Sequence, residues 1–210
     1  MVNNPFVERI HEFPDLIHAY GNFSKQKFRD FAGDRNIFVD LGSGAGNFLV
    51  RQAKNNPDMA CFGIEIRFKR LFRSAEKTIA SQLNNLNWVQ CRINQFFDYT
   101  GPDRIQTITC NFPDPWPKKR HHKNRSMNAT QTQVIAQALR KEGEILFRTD
   151  SDEYFEEVVT VIKDNNLLSL DALSRDYADS EYYREEWATE FEELFLRRKN
   201  INFLSAVKIK

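Results

Sequence analysis

Residues 37–50 read IFVDLGSGAGNFLV, and this stretch decides the fold. Its apolar start predicts a buried strand over Ile37–Leu41, and the glycine-rich run at 42–46 ends that strand in a tight turn. Residues Asn47–Asn55 then carry apolar side chains at helical spacing and are followed closely by a proline. A strand, a tight turn and a helix form the repeating unit of a parallel sheet covered by helices.

The same alternation continues along the chain. Further strands are predicted at Cys61–Ile66, Leu86–Cys91, Ile105–Cys110, Glu144–Thr149, Leu167–Leu173 and Ile201–Ile209. Further helices are predicted at Arg67–Gln82, Thr130–Arg140, Ser151–Asn165 with Ser151 as its N-cap, and Glu185–Lys199. This order predicts an α/β protein with helices on both faces of the sheet. The 210 residues contain no Gly/Ser linker, so we expect one domain, with 1–34 as an N-terminal extension and 35–210 as its core.

The composition is typical of a folded globular protein. Hydrophobic residues make up 41% and charged residues 28%, which excludes low-complexity disorder. No apolar run approaches the roughly 20 residues that span a bilayer, and the start MVNNPFVERI lacks the features of a signal peptide. Cys61, Cys91 and Cys110 lack metal-ligand spacing, so we expect reduced thiols, no metal, no membrane partner and a cytoplasmic location.

The net charge of +1 hides an uneven distribution. Residues 150–193 carry 15 acidic and three basic side chains, whereas residues 1–149 carry an excess of basic ones. A basic body with an acidic flank can orient a polyanion on one face. The alternative interpretation is that the acidic stretch is a solvated helix face.

Polar or glycine-rich sequence follows five of the predicted strands, where parallel sheets bind their ligands. Asp40 precedes the glycine turn and suits a cationic ligand, and Glu65 ends the second strand, where a carboxylate can accept hydrogen bonds from a ribose diol. A dinucleotide fingerprint would need glycine at Asn47. The pair therefore indicates S-adenosylmethionine, which has both a cationic end and a ribose. The alternative is that Asp40 caps a turn and Glu65 is an incidental charge.

This arrangement resembles class I S-adenosylmethionine-dependent methyltransferases. The resemblance implies a Rossmann-like sheet of about seven strands with its last strand antiparallel, which agrees with the strand predicted at Ile201–Ile209. Many substrates are served by that fold, so the fold alone does not name one.

The segment after the fourth predicted strand, NFPDPWPKKRHHKNR at 111–125, is the most informative for the substrate. Its three prolines stiffen the backbone and can hold Asp114 and Trp116 in a fixed geometry. The run Lys118–Arg125 is basic or histidine at seven of eight positions, which favours contact with phosphates over a disordered loop. Trp116 either stacks on a base or packs the loop against the sheet.

NFPDPWPKKRHHK is similar to the signature of bacterial tRNA (guanine-N7-)-methyltransferases, and GIEIRFKR at 63–70, Thr149-Asp150 and the 189–192 block resemble that family in order and spacing. The resemblance implies methyl transfer to N7 of a guanine in the tRNA variable loop (position 46). Because this transfer leaves positive charge on the purine, a nearby carboxylate, Asp114 or Asp150, can stabilise it, and we take Asp114 as the catalytic candidate. It implies cofactor contacts from Asp40, Glu65, Asn94 and Asp114, and RNA or guanine contacts from Lys118, Asp150, Thr189, Glu190, Phe191 and Glu192. The turn and the basic run add Gly42, Gly44 and Gly46 for the cofactor and Lys119 and Arg120 for the tRNA.

Three positions depart from the family pattern. Asp40 stands where Glu is usual, Asn94 where Asp is common, and Glu190 where Lys is usual, so the role of Glu190 is the least secure. These departures leave open an RNA-binding protein whose catalysis has decayed. An amino-group methyltransferase is a further alternative, because Asn-Phe-Pro-Asp loosely echoes a loop used in that chemistry, although the basic run argues against it. We expect a stand-alone monomer or homodimer with no obligatory protein partner.

Overall fold

The computed structural model describes residues 4–195 and 200–210, and the chain divides into two compact units, Met1–Thr100 and Gly101–Lys210. The first unit contains strands β1 (Ile17–Ala19), β2 (Ile37–Leu41), β3 (Ala60–Ile64) and β4 (Leu86–Gln90). Its helices are α1 (Phe6–Arg9), α2 (Lys25–Ala32), α3 (Asn47–Asn55), α4 (Phe68–Ala80) and α5 (Ile93–Thr100), with a 3-10 turn at Ile10–Glu12. The four strands are parallel and lie in the order β1, β4, β3, β2.

Trp88 on β4 fixes the packing of the first unit. Its indole is fully buried, and its Nε1 donates a hydrogen bond of 2.9 Å to Oγ1 of Thr78 on α4. A Cβ atom at Gly63 on β3 would overlap the indole, and one at Gly46 would lie 2.6 Å from the indole Cη2 and 2.7 Å from Oγ of Ser74. Glycine is therefore required at both positions, because β3 and the glycine turn pack directly on the ring.

A cluster of phenylalanines joins the helices to the strands of this unit. The rings of Phe28 on α2 and Phe62 on β3 have centroids 5.0 Å apart, and Phe96 on α5 lies 5.7 Å from Phe62. All three side chains are fully buried. Because α5 is held by this apolar contact, its first turn is fixed next to the end of β4.

The second unit contains strands β5 (Ile105–Asn111), β6 (Leu139–Thr149), β7 (Leu168–Ser174) and β8 (Asn202–Lys208). Its helices are α6 (Ala129–Ala138), α7 (Asp152–Lys163) and α8 (Glu190–Phe195), with 3-10 turns at Lys119–Asn124 and Glu185–Trp187. The strand order is β5, β6, β8, β7. β5 and β6 are parallel, whereas β8 runs antiparallel to both β6 and β7.

The predicted α/β class and the antiparallel last strand are confirmed. The bounds predicted for β2 and α3 agree with the structure, and Ser151 caps α7 as predicted. The described residues contain eight strands where about seven were expected, because the stretch treated as an extension contributes β1. A single domain over the whole chain stays a prediction. No helix in residues 4–195 and 200–210 is long and apolar enough to cross a membrane.

Two predicted elements were wrong in extent. The helix expected at Glu185–Lys199 is broken at Thr189, whose Oγ1 accepts a hydrogen bond of 3.2 Å from the backbone N of Glu192 and so begins α8. Residues 196–199 of that prediction lie outside the described residues. The strand expected from Glu144 begins at Leu139, and helices α1, α2 and α5 were not predicted.

The three cysteine side chains, Cys61, Cys91 and Cys110, are buried. Burial raises the pKa of the Cys61 and Cys91 thiols to about 12. Since the thiolate is the reactive form, these two side chains act as small apolar groups in the core.

We predict that Gly63→Ala lowers the free energy of unfolding by about 1–3 kcal/mol, because its methyl group must displace the indole of Trp88. Chemical denaturation measures the change, and Lys54→Ala at an exposed position of α3 should stay within about 0.5 kcal/mol of the wild type. In a Trp88→Phe background the same substitution should cost less. An equal cost in both backgrounds would contradict this packing account.

Candidate functional site

The first unit brings the glycine turn to the end of β3. Gly42, Gly44 and Gly46 all have positive φ, at +75°, +57° and +82°. The backbone N atoms of Gly42 and Ser43 donate hydrogen bonds of 2.9 and 3.0 Å to the carbonyl of Ile64. A Cβ atom at Gly42 or Gly44 would meet no protein atom within 4 Å, in contrast to Gly46. The turn therefore exposes backbone to which a ligand can come close.

Two buried carboxylates lie at the same strand ends. Asp40 is 3% exposed and pairs in register with Gly63, two residues before Glu65, which is 5% exposed. Oε1 of Glu65 accepts hydrogen bonds of 2.8 and 2.9 Å from the backbone N atoms of Ile66 and Arg67. Its Oε2 has one long contact of 3.4 Å with Arg70. The backbone thus orients the carboxylate and leaves Oε2 with acceptor capacity.

Asn94 lies in the first turn of α5 and is exposed. A helix begins shortly after β4 ends at Gln90, and Asn94 is its second residue. β4 is the neighbour of β3, so Asn94 follows the strand adjacent to the one that presents Glu65.

In the second unit, the Pro-Asp-Pro-Trp-Pro loop follows β5. Phe112 and Trp116 have φ of +49° and +47°, a conformation that is uncommon for residues other than glycine. The backbone N of Phe112 donates to the carbonyl of Arg148 at 2.8 Å, and Nε of Arg125 donates to the carbonyl of Pro115 at 2.7 Å. Asp114 is exposed between these two attachments.

The basic run divides into an exposed part and a buried part. Lys118, Lys119 and Arg120 are exposed on and beside the 3-10 turn. Arg125 is 1% exposed and pairs with Glu153 and Glu157 of α7. The prediction that the whole run contacts phosphates is therefore wrong for Arg125, because its charge is compensated inside the unit.

Trp116 packs within its own loop. The indole is half-buried and meets the ring of His121 edge to face, with centroids 5.7 Å apart and planes at 87°. His121 in turn accepts a hydrogen bond of 3.2 Å from Nε of Arg120. This ring contact of Trp116 is therefore made within the loop itself.

Asp150 lies at the end of β6 and lines a cavity of about 600 Å³. The other lining residues are polar or charged: Asp152, Arg175, Asn200 and Asn202. Asn202 is fixed there, because its side-chain amide donates a hydrogen bond of 2.8 Å to Asp152. The sequence identified Asp150 and missed the other four, which come from separate segments of the chain.

The 189–192 block has two buried and two more accessible members. Thr189 and Glu192 are 6% and 0% exposed, and the Glu192 carboxylate accepts hydrogen bonds from the backbone N of Thr189 and from Arg148. Glu190 is exposed, and the ring of Phe191 lies 4.4 Å from that of Phe112. The block therefore packs against the start of the Pro-Asp-Pro-Trp-Pro loop.

Arg148, in the same region, was not selected from the sequence. It is 1% exposed, and its Nη1 donates hydrogen bonds of 2.8 and 2.9 Å to the Glu192 carboxylate and 2.7 Å to the carbonyl of Trp187. Its Nε donates a hydrogen bond of 2.8 Å to Oδ1 of Asn111. Burial raises the pKa of the neighbouring Tyr177 more than Arg148 lowers it, so this phenol stays neutral. No sequence signal marks a pairing across 44 residues.

Comparison with solved structures shows which fold the chain has. The 16S rRNA methyltransferase KamB superposes with a TM-score of 0.66 at 13% identity, covering 90% of this chain and 95% of that one. A second structure, of an antibiotic-related methyltransferase, gives a TM-score of 0.61 at 19% identity over 87% of this chain and 94% of that one. The predicted Rossmann-like methyltransferase fold is confirmed.

Comparison with known sequences shows which family the chain belongs to. A family model described as "Putative methyltransferase" matches residues 34–204. A tRNA (guanine-N(7)-)-methyltransferase of Listeria monocytogenes serovar 1/2a is 35% identical over 90% of this chain and 87% of its own length. A bifunctional glycosyltransferase/methyltransferase of Fusobacterium nucleatum is 30% identical, and its match covers 98% of this chain but 33% of that protein. The chain belongs to the tRNA (guanine-N7-)-methyltransferase family, as its motifs predicted.

Proposed function

We propose that the protein transfers a methyl group from S-adenosylmethionine to N7 of a guanine in the tRNA variable loop. The observation that carries the proposal is the rigid loop after β5, which presents Asp114 and is followed at once by three exposed cations, Lys118, Lys119 and Arg120. An anchored carboxylate beside phosphate-binding side chains suits a nucleic-acid base as substrate. The Listeria and Clostridioides difficile relatives, both 35% identical, are named tRNA (guanine-N(7)-)-methyltransferases.

The first unit has the groups that S-adenosylmethionine requires. Gly42 and Gly44 leave open space on their Cα side, so the backbone can lie close to the amino-acid end of the ligand. Asp40 is a buried carboxylate that would pair with the ligand's ammonium group. Glu65 would bind the ribose through Oε2, because backbone amides already occupy Oε1. Asn94, in the first turn of α5 shortly after β4, is the proposed amide contact with the cofactor.

The chemistry needs positioning more than it needs a base. S-adenosylmethionine would supply the methyl group. Its carbon–sulfur bond would break with the electron pair left on sulfur, while the N7 lone pair of guanine forms the new carbon–nitrogen bond. N7 carries no proton, so no side chain of this protein has to remove one before the bond forms. Asp114 would stabilise the positive charge that methyl transfer leaves on the purine. The rigid loop would hold its carboxylate in place throughout the reaction.

The cavity beside Asp150 suits the Watson–Crick edge of the target guanine. The N1 and N2 groups of guanine are donors, and Asp150 and Asp152 offer carboxylate acceptors at the cavity wall. Adenine has no N1 proton, so the acceptors would discriminate against it. We propose Asp150 as the guanine contact, with the exposed Glu190 and the ring of Phe191 as neighbouring substrate contacts. Thr189 and Glu192 would act by fixing the start of α8.

Identification of the methylated nucleoside tests the proposal. Unmodified tRNA is incubated with the protein and methyl-labelled S-adenosylmethionine, and the digested RNA is analysed by mass spectrometry. We expect 7-methylguanosine from the variable loop. Binding of tRNA without any methyl transfer would favour the decayed RNA-binding protein, and methylation of an exocyclic amino group would favour the amino-group methyltransferase.

We predict that Asp40→Asn and Glu65→Gln each weaken S-adenosylmethionine binding about 10- to 100-fold, the loss expected for a charged hydrogen bond. Isothermal titration measures the affinity, and tRNA affinity should change little. Glu76→Gln is the matched control, since Glu76 is partly exposed on α4 and pairs with Arg73. Wild-type cofactor affinity in both variants would show that the site lies elsewhere.

We predict that tRNA affinity falls steeply with salt and that Lys118→Ala/Lys119→Ala reduces the slope of log affinity against log salt by about 1 to 2. The control is Arg140→Ala/Lys141→Ala, which removes the same charge from two exposed residues near the start of β6, the end away from Asp150. Filter binding at several salt concentrations gives both slopes. Equal slopes for the two double variants would show that the basic run does not contact phosphate.

A further inference from the structure

The loop that carries Asp114 has few hydrogen-bond donors of its own. Three of the five residues at 113–117 are prolines, which have no backbone N–H. Phe112, just before this segment, and Trp116, within it, adopt a sparsely populated backbone conformation. Such a conformation persists only when the surroundings hold it. Such a loop has to be fixed through its acceptors, by donors that come from other elements.

Arg148 supplies the donor at the start of the loop. Its Nε binds the side chain of Asn111 at 2.8 Å, and its own carbonyl accepts the backbone N of Phe112 at 2.8 Å. The other end of the guanidinium is held by both oxygens of Glu192. Arg148 therefore ties the beginning of the loop to α8.

Arg125 supplies the donor in the middle of the loop. Its Nε binds the carbonyl of Pro115, directly after Asp114, at 2.7 Å. Its Nη atoms pair with Glu157 and Glu153 of α7, and the guanidinium lies 4.8 Å from the centre of the Tyr154 ring. Arg125 therefore ties the middle of the loop to α7.

The two arginines share one arrangement. In each, Nε binds the loop or the strand end from which it starts: Pro115 for Arg125 and Asn111 for Arg148. Both terminal nitrogens of Arg125 pair with glutamates of α7, and Nη1 of Arg148 pairs with Glu192 of α8. The planar guanidinium can make both sets of contacts at once, whereas the single ammonium of lysine cannot. Both side chains are about 1% exposed, so neither is available to an RNA phosphate.

We propose that Arg125 and Arg148 are positioning residues for methyl transfer, which act by holding the Asp114 loop from its two sides. The proposal rests on the proposed function and assigns Glu192 as the counter-charge of Arg148. Holding a catalytic group in place is worth a large factor, since a displacement of about 1 Å can slow a reaction about 100-fold. Neither arginine has to touch tRNA or cofactor to produce this effect.

Arg125→Lys and Arg148→Lys test the proposal, because lysine keeps the charge and loses the second attachment. We expect the single-turnover rate at saturating tRNA and S-adenosylmethionine to fall about 10- to 100-fold, with both dissociation constants within about twofold of the wild type. Hydrogen exchange of the peptide covering 111–118 should become faster in both. Asn111→Ala provides a milder variant that removes the Nε acceptor and leaves Glu192 in place.

Lys208→Met is the matched control for a general loss of stability. Lys208 is 4% exposed in the same unit. It binds Asp103, which precedes β5, at 2.6 Å and the carbonyl of Leu139, the first residue of β6, at 2.7 Å. This variant should melt at a lower temperature and keep the wild-type rate. The proposal is overturned if the arginine variants also melt earlier but keep the wild-type rate and loop exchange. A wild-type protein that transfers no methyl group would instead refute the proposed function, while loop exchange would still report on the two attachments.

Discussion

The buried charge of Arg148 is the constraint on which the strand ends of the second unit depend. A guanidinium removed from water is strongly unfavourable unless it is paired and hydrogen-bonded. Glu192 pairs with Nη1 of the guanidinium, and the same carboxylate binds the backbone N of Thr189, so the pairing also determines where α8 begins. Through Asn111 the guanidinium then fixes the exit of β5. One interaction thus joins the end of one strand, the end of its neighbour and a helix from the C-terminal part of the chain.

The first unit depends on shape in the way that the second depends on charge. Trp88 occupies the space that side chains at Gly63 and Gly46 would need, which brings β3 and the glycine turn together beneath one ring. This packing also determines where the carboxylate of Glu65 lies, because Glu65 is the first residue after β3. Its orientation is then set by two backbone amides and does not require a ligand.

Local patterns predicted much of this fold and part of the site. The limits of β2 and α3 follow from an apolar run, a glycine turn and a proline, all within 21 residues. Asp40 and Glu65 were selected from their positions at predicted strand ends, and Asp114 from the proline-rich loop. The sequence could not predict Arg148, because its partner lies 44 residues away, and it misread Arg125, because a buried and an exposed cation look alike in a basic run. The break at Thr189 was missed because a capping threonine inside a polar stretch gives little periodic signal.

The central claim is that N7 of the variable-loop guanine accepts the methyl group. A tRNA with 7-deazaguanosine in place of the variable-loop guanosine tests it most directly, since a C–H group replaces N7 and the Watson–Crick edge is unchanged. The account predicts that this tRNA binds with the affinity of the unsubstituted one and that no methyl group is transferred to that nucleotide. Methyl transfer to the substituted nucleotide at the normal rate would contradict it.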